Sequence, residues 1–126
     1  MLGPLLSVAA GGAIGAALRF LAGAGVLRLF GQTGFPVAII SVNVIGSFLM
    51  GVFVVLAAHR GLTALSPFVM TGLLGGFTTF SAFSLEAVTL YERGAVGQAA
   101  LYVVLSVGAS IAALVAGLWV ARSLVS

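Results

Sequence analysis

The stretch from Leu65 to Tyr91 is long and apolar enough to cross a bilayer, yet its middle reads Leu74-Gly75-Gly76-Phe77-Thr78-Thr79-Phe80-Ser81-Ala82-Phe83. Paired glycines weaken a helix, and the three hydroxyl residues after them offer the backbone competing hydrogen bonds. Inside hydrocarbon every backbone N–H and C=O must find a partner, so an unwound segment at that depth survives only against protein or a water-filled path. The chain thus carries a membrane helix built to break, and broken membrane helices mark ion sites.

Composition agrees. With 62% hydrophobic residues, 6% charged residues and two carboxylates in 126 positions, the chain cannot cover a water-soluble surface. Its charges, Arg19, Arg28, Arg60, Arg93 and Arg122 against Glu86 and Glu92, are dispersed, so the high pI reflects scarcity of acid and no nucleic-acid partner is expected. The lack of cysteine excludes disulfides, thiolate metal sites and a cysteine nucleophile. No paired carboxylates or metal-ligand cluster appear, and His59 has no catalytic companion at a useful spacing, so an enzyme is not expected. The N-terminus lacks a basic segment before its apolar stretch and a small-residue cleavage site, so the first helix is expected to be retained.

Prolines near helix starts and glycines past helix ends divide one domain, residues 1–126, into four spans at about 4–29, 36–59, 66–93 and 96–124. Each approaches or exceeds the ~20 residues that cross hydrocarbon. The short connections make neighbouring helices antiparallel and put both termini on one side. Small residues four apart, Gly11 and Gly15, Ser47 and Gly51, Gly72 and Gly76, Ala113 and Gly117, suit close helix contact within or between subunits. Arg28 and Arg93 on one side balance Arg60 and Arg122 on the other, so the positive-inside bias nearly vanishes. Either Arg19 or another factor fixes one orientation, or the chain inserts both ways, and two opposed copies would then form an inverted-repeat dimer.

Three motifs now carry a resemblance: Gly11-Gly12-Ala13-Ile14-Gly15-Ala16-Ala17-Leu18-Arg19-Phe20, then Val42-Asn43-Val44-Ile45-Gly46-Ser47-Phe48, then the stretch from Gly75 to Ser84. In order and spacing they resemble the Fluc family of microbial fluoride channels, also described as camphor-resistance, CrcB-like proteins. The resemblance implies an all-α membrane protein of four transmembrane helices with a broken third helix, paired as an antiparallel, dual-topology homodimer in a bacterial plasma or inner membrane. It implies passive export of fluoride that protects against fluoride toxicity, and a structural sodium ion at the dimer centre.

The residues can be weighed against that chemistry. A path for small, strongly hydrated fluoride needs hydrogen-bond donors without a permanent charge that would trap the ion. Asn43, the only asparagine, lies well inside the second span and can either bond another helix or donate to an anion; the resemblance favours the anion path. Phe80 and Phe83 share a helix face and can present electropositive ring edges, and they match the phenylalanines that line the family's pores. Tyr102, Ser106 and Ser110 recur every four residues, the spacing of one helical stripe, and match the family's polar track; Thr79 and Ser81 would face it or the dimer interface. If the break frees the carbonyls of Gly75 and Thr78, two opposed copies can cage a hard cation, and the resemblance assigns sodium to these positions. Arg19 can snorkel to the interface or hold a vestibule positive, and Glu86 is a second vestibule candidate. A small multidrug exporter also has four spans and dual topology, but its cation chemistry needs a carboxylate in the first span, which this chain lacks.

Overall fold

A computed structural model describes residues 1–31 and 34–126, and all regular structure among them is helical. Helix α1 (Leu2–Phe30) ends at Gly31, α2 (Val37–Arg60) at Gly61, and both glycines take positive φ, 70° and 68°, where a side chain would be strained. Pro36 caps α2 at its N-terminus. Pro4, expected to open the first helix, falls within its first turn, where the missing N–H has no intrahelical partner to lose.

The third span comes in pieces. A 3-10 turn at Thr63–Leu65 leads into α3 (residues 67–77), wound as a π-helix over Pro67–Leu74 and as an α-helix over Gly75–Phe77. Thr78 (φ −85°, ψ 160°) and Thr79 (φ −152°, ψ 122°) are extended, and α4 (Phe80–Glu92) restarts after them. The last helix, α5 (Val96–Val125), completes four helical spans long and apolar enough to cross a membrane.

The break therefore lies at the threonine pair, a few residues past the glycines that sequence reasoning held responsible. Gly75 is helical, at φ −63° and ψ −37°. Gly76, and Gly72 one turn before it, serve packing instead. A Cβ at Gly76 would stand 2.8 Å from the Gly12 carbonyl oxygen, and one at Gly72 would stand 2.9 Å from that of Val8. Gly11 and Gly15 return the contact, backing onto the carbonyls of Phe68 and Leu73, so α1 and α3 touch backbone to backbone. Gly51 against Leu114 and Gly117 against Phe48 do the same between α2 and α5.

Two close helix pairs result, α1 with α3 and α2 with α5, and the break lets the third span change partner: α3 lies along α1 while α4 leans on α5. The interior is thin. Val42, Leu90 and Tyr102 are fully buried, and a small cluster of Phe83, Leu90, Ala99 and Tyr102 fills the space beside α4. Large apolar side chains along the outside of α1 and α5, among them Phe20, Leu21, Val104 and Trp119, are exposed, as a surface for lipid or a second subunit requires.

Candidate functional site

Thr78 and Thr79 sit where α3 would otherwise run into α4. The Thr78 N–H still bonds the Leu74 carbonyl at 3.0 Å, and its hydroxyl donates to the same oxygen at 2.9 Å, so α3 closes on itself. Beyond that point the ladder fails. In an unbroken helix the Thr79 N–H would close on Gly75 and the Ala82 N–H on Thr78. Instead Thr79 N–H donates to Asn43 Oδ1 at 2.7 Å, and Ala82 N–H donates to Thr79 Oγ1 at 3.1 Å, an N-cap for α4. Asn43 Nδ2 in turn donates to the Thr79 carbonyl at 3.0 Å. The Gly75 and Thr78 carbonyls are thereby released from the bonds a continuous helix would give them.

Beside the break lies a cavity of about 350 Å³. Asn43 lines it from α2, Thr78, Thr79, Phe80 and Phe83 from the third span, and Ser106 and Ser110 from α5, over an apolar floor that includes Met50 and Leu114. Every lining side chain is neutral. The Phe80 and Phe83 rings stand 5.2 Å apart between centroids, tilted by 47°. Phe83 is buried, whereas Phe80 is 76% exposed and faces out of the single chain.

Six of the anion-path candidates thus meet at one cavity; Tyr102 and Ser81 do not line it. Tyr102 is fully buried behind Phe83, with ring centroids 5.3 Å apart, and takes the edge of Phe35 at 5.7 Å. Ser81 is exposed, with its hydroxyl 3.4 Å from that of Thr79. The hydroxyls of Tyr102 and Ser106 are buried, and among the described residues neither makes a hydrogen bond of good geometry.

Arg19 is turned into the protein. Its Nε donates to the Gly76 carbonyl at 3.1 Å, from α1 onto the last turn before the break. This bond was invisible in the sequence, because it joins residues 57 positions apart. Glu86 lines a second cavity of about 470 Å³ at the α2 N-terminus, together with Arg93, which donates to the Gly34 carbonyl at 2.9 Å.

Four helices able to cross a membrane, three of which line a neutral, donor-bearing cavity at a helix break, define a multi-pass membrane protein of the small-ion channel class. Over residues 6–118 the sequence matches the profile of the CrcB-like protein, Camphor Resistance (CrcB), and the chain belongs to that family. It is 69% identical to the fluoride-specific ion channel FluC of Ruegeria sp. (strain TM1040) over 126 residues, all of both chains. It is 74% identical to the FluC of Roseobacter denitrificans over 119 residues, 94% of each chain. To the FluC of Jannaschia sp. (strain CCS1) it is 76% identical over 101 residues, 77% of this chain and 96% of that one.

Proposed function

We propose that this chain is a fluoride-selective channel that lets fluoride leave the cell passively and so protects against fluoride toxicity. The observation that carries the reading is the cavity at the break, where a few amide and hydroxyl groups stand on a largely apolar lining without any charged residue, in a chain so similar to proteins named as fluoride-specific channels. Hydroxyl and amide hydrogens can replace part of the water around fluoride, and ring edges can guide it without holding it. A fixed ammonium or guanidinium would bind the ion too tightly for rapid passage, and a carboxylate would repel it. The α4 N-terminus, the positive end of its helix dipole, abuts the same cavity and favours an anion. The exporter alternative is not favoured, since α1 carries no carboxylate.

The working unit is an antiparallel homodimer. The amide and hydroxyl groups of the cavity are poorly matched to lipid tails, and Phe80 is left exposed beside them, so a second copy is the economical cover. Balanced arginines permit that copy to insert upside down. Within this reading a structural sodium ion binds the Gly75 and Thr78 carbonyls of both copies. Their release from helical hydrogen bonds supports it, because hard cations prefer such oxygens. When bound, sodium supplies positive charge and a brace between the subunits.

Purified protein in liposomes should release trapped fluoride and retain chloride; equal release of both, or of neither, would overturn the channel reading. The chain has no cysteine, so Leu62→Cys provides a clean topology probe. It should react with impermeant reagent from both sides of native membranes, and strictly one-sided reaction would exclude dual topology.

A further inference from the structure

Asn43 grips both polar backbone groups of one residue, accepting the Thr79 N–H at 2.7 Å and donating to the Thr79 carbonyl at 3.0 Å. This is the pairing one strand gives its neighbour, supplied here by a side chain on another helix. We propose that Asn43 is a positioning residue that holds the third span open: by taking the Thr79 N–H it keeps the Gly75 carbonyl free, and its remaining amide hydrogen stays available to the cavity.

The alternative state is close at hand. Gly75–Phe77 is already helical and the Thr78 N–H already bonds Leu74. Rotation at Thr78, from ψ 160° to a helical value, would carry the Thr79 N–H towards Gly75 and let α3 run on. The packing of Phe83 and Leu90 beside α5 opposes a fully straight span, so the choice left open is the local one at Thr78. The Thr79 hydroxyl caps α4 through Ala82, but the Thr79 N–H itself has Asn43 as its acceptor. Whichever oxygen receives that N–H sets the local conformation at Thr78. A side-chain amide has two N–H groups, and only one is needed for the Thr79 carbonyl. Asn43 thus joins the cavity to the freed carbonyl through a single group. The sodium arm of the test rests on the cation reading given above; the structural arm does not.

Thr78-Thr79 is the only Thr-Thr pair in the chain, so threonine labelled with 13C at the carbonyl and 15N at the amide isolates this one peptide by NMR. In the parent dimer the Thr78 carbonyl should resonate in the extended range. In Asn43→Ala it should move to the helical range, and the sodium concentration for half-maximal fluoride flux should rise about tenfold, the equivalent of one net hydrogen bond. Phe80→Ile, a lining control, should lower flux without moving either reading. An unchanged Thr78 resonance in Asn43→Ala would overturn the proposal. If Asn43→Ala does not assemble, Asn43→Asp decides: it retains an acceptor for the Thr79 N–H, so the resonance should stay extended even as the added charge suppresses flux. A helical resonance in Asn43→Asp would equally overturn it. Sodium-independent flux in the parent would remove the cation reading alone, leaving the resonance to judge Asn43.

Discussion

Gly76→Ala should impair this protein although it adds a single methyl group of high helix propensity. The new Cβ would stand 2.8 Å from the Gly12 carbonyl oxygen and 3.2 Å from the Ala16 nitrogen, all of it backbone on α1. No flexible side chain is available to move, so α3 and α1 must separate by about half an ångström to restore ordinary contact. Overpacking of this kind costs about 1–3 kcal/mol, more than the ~1 kcal/mol that alanine returns over glycine in a helix. The displacement also pulls the Gly76 carbonyl away from Arg19 Nε, its donor at 3.1 Å, and lies just before the extended threonines. Gly12→Ala is the matched control, since a Cβ there meets nothing within 4 Å in the single chain. Denaturant unfolding in micelles should show Gly76→Ala less stable than the parent and Gly12→Ala equal or slightly more stable. Liposome flux should fall for Gly76→Ala alone. If the two variants unfold and conduct alike, close backbone packing at the break is not what the glycine provides.

Ser106→Ala should change stability little, because among the described residues the buried hydroxyl makes no hydrogen bond of good geometry, while fluoride flux falls if that hydroxyl serves the ion. Phe83→Ile should lose about 0.5–1.5 kcal/mol through its contacts with Phe80 and Tyr102 as well as conductance, whereas Phe80→Ile, exposed in the single chain, should lose conductance with little effect on subunit stability. Parental flux in both isoleucine variants would reject the ring-edge mechanism. Arg19→Gln places an amide nitrogen as many bonds from the backbone as Arg19 Nε and removes the charge. If the bond to Gly76 is what matters, Arg19→Gln should conduct nearly as the parent; a collapse of flux reversed in Arg19→Lys would assign the role to charge instead.

The spans and the existence of a break were legible because they depend on local pattern: apolar length, proline and glycine punctuation, and hydroxyls following paired glycines. Why the chain breaks at Thr78 and Thr79 was not. That depends on Asn43, 36 positions away, taking the Thr79 N–H, and hydrogen bonds between helices leave no periodic trace. The glycine pair was misjudged for a related reason. Glycine weakens a helix and also permits close approach, and only the neighbouring backbone, Gly12 in this case, shows which property is used. The serines of α5 fared unevenly with the stripe they belong to: Ser106 and Ser110 reach the cavity, while four residues earlier the larger Tyr102 is absorbed into the aromatic packing of Phe35 and Phe83.

The break also answers a geometric need that a straight helix cannot meet. α3 must lie close against α1, where paired glycines allow backbone contact, yet Phe83 and Leu90 of α4 must reach the core beside α5. A single straight rod cannot satisfy both without opening a gap against one of them. Two extended residues redirect the chain, and their polar groups then require partners inside hydrocarbon. The side chains that supply those partners come from the adjoining helices, Asn43 from α2 for Thr79 and Arg19 from α1 for Gly76. With the Thr79 N–H taken by Asn43 and the Gly76 carbonyl by Arg19, the Gly75 and Thr78 carbonyls are left without the donors a continuous helix would give them. Architecture and site therefore share one cause: the change of helix partner creates the freed carbonyls and the donor-lined cavity together.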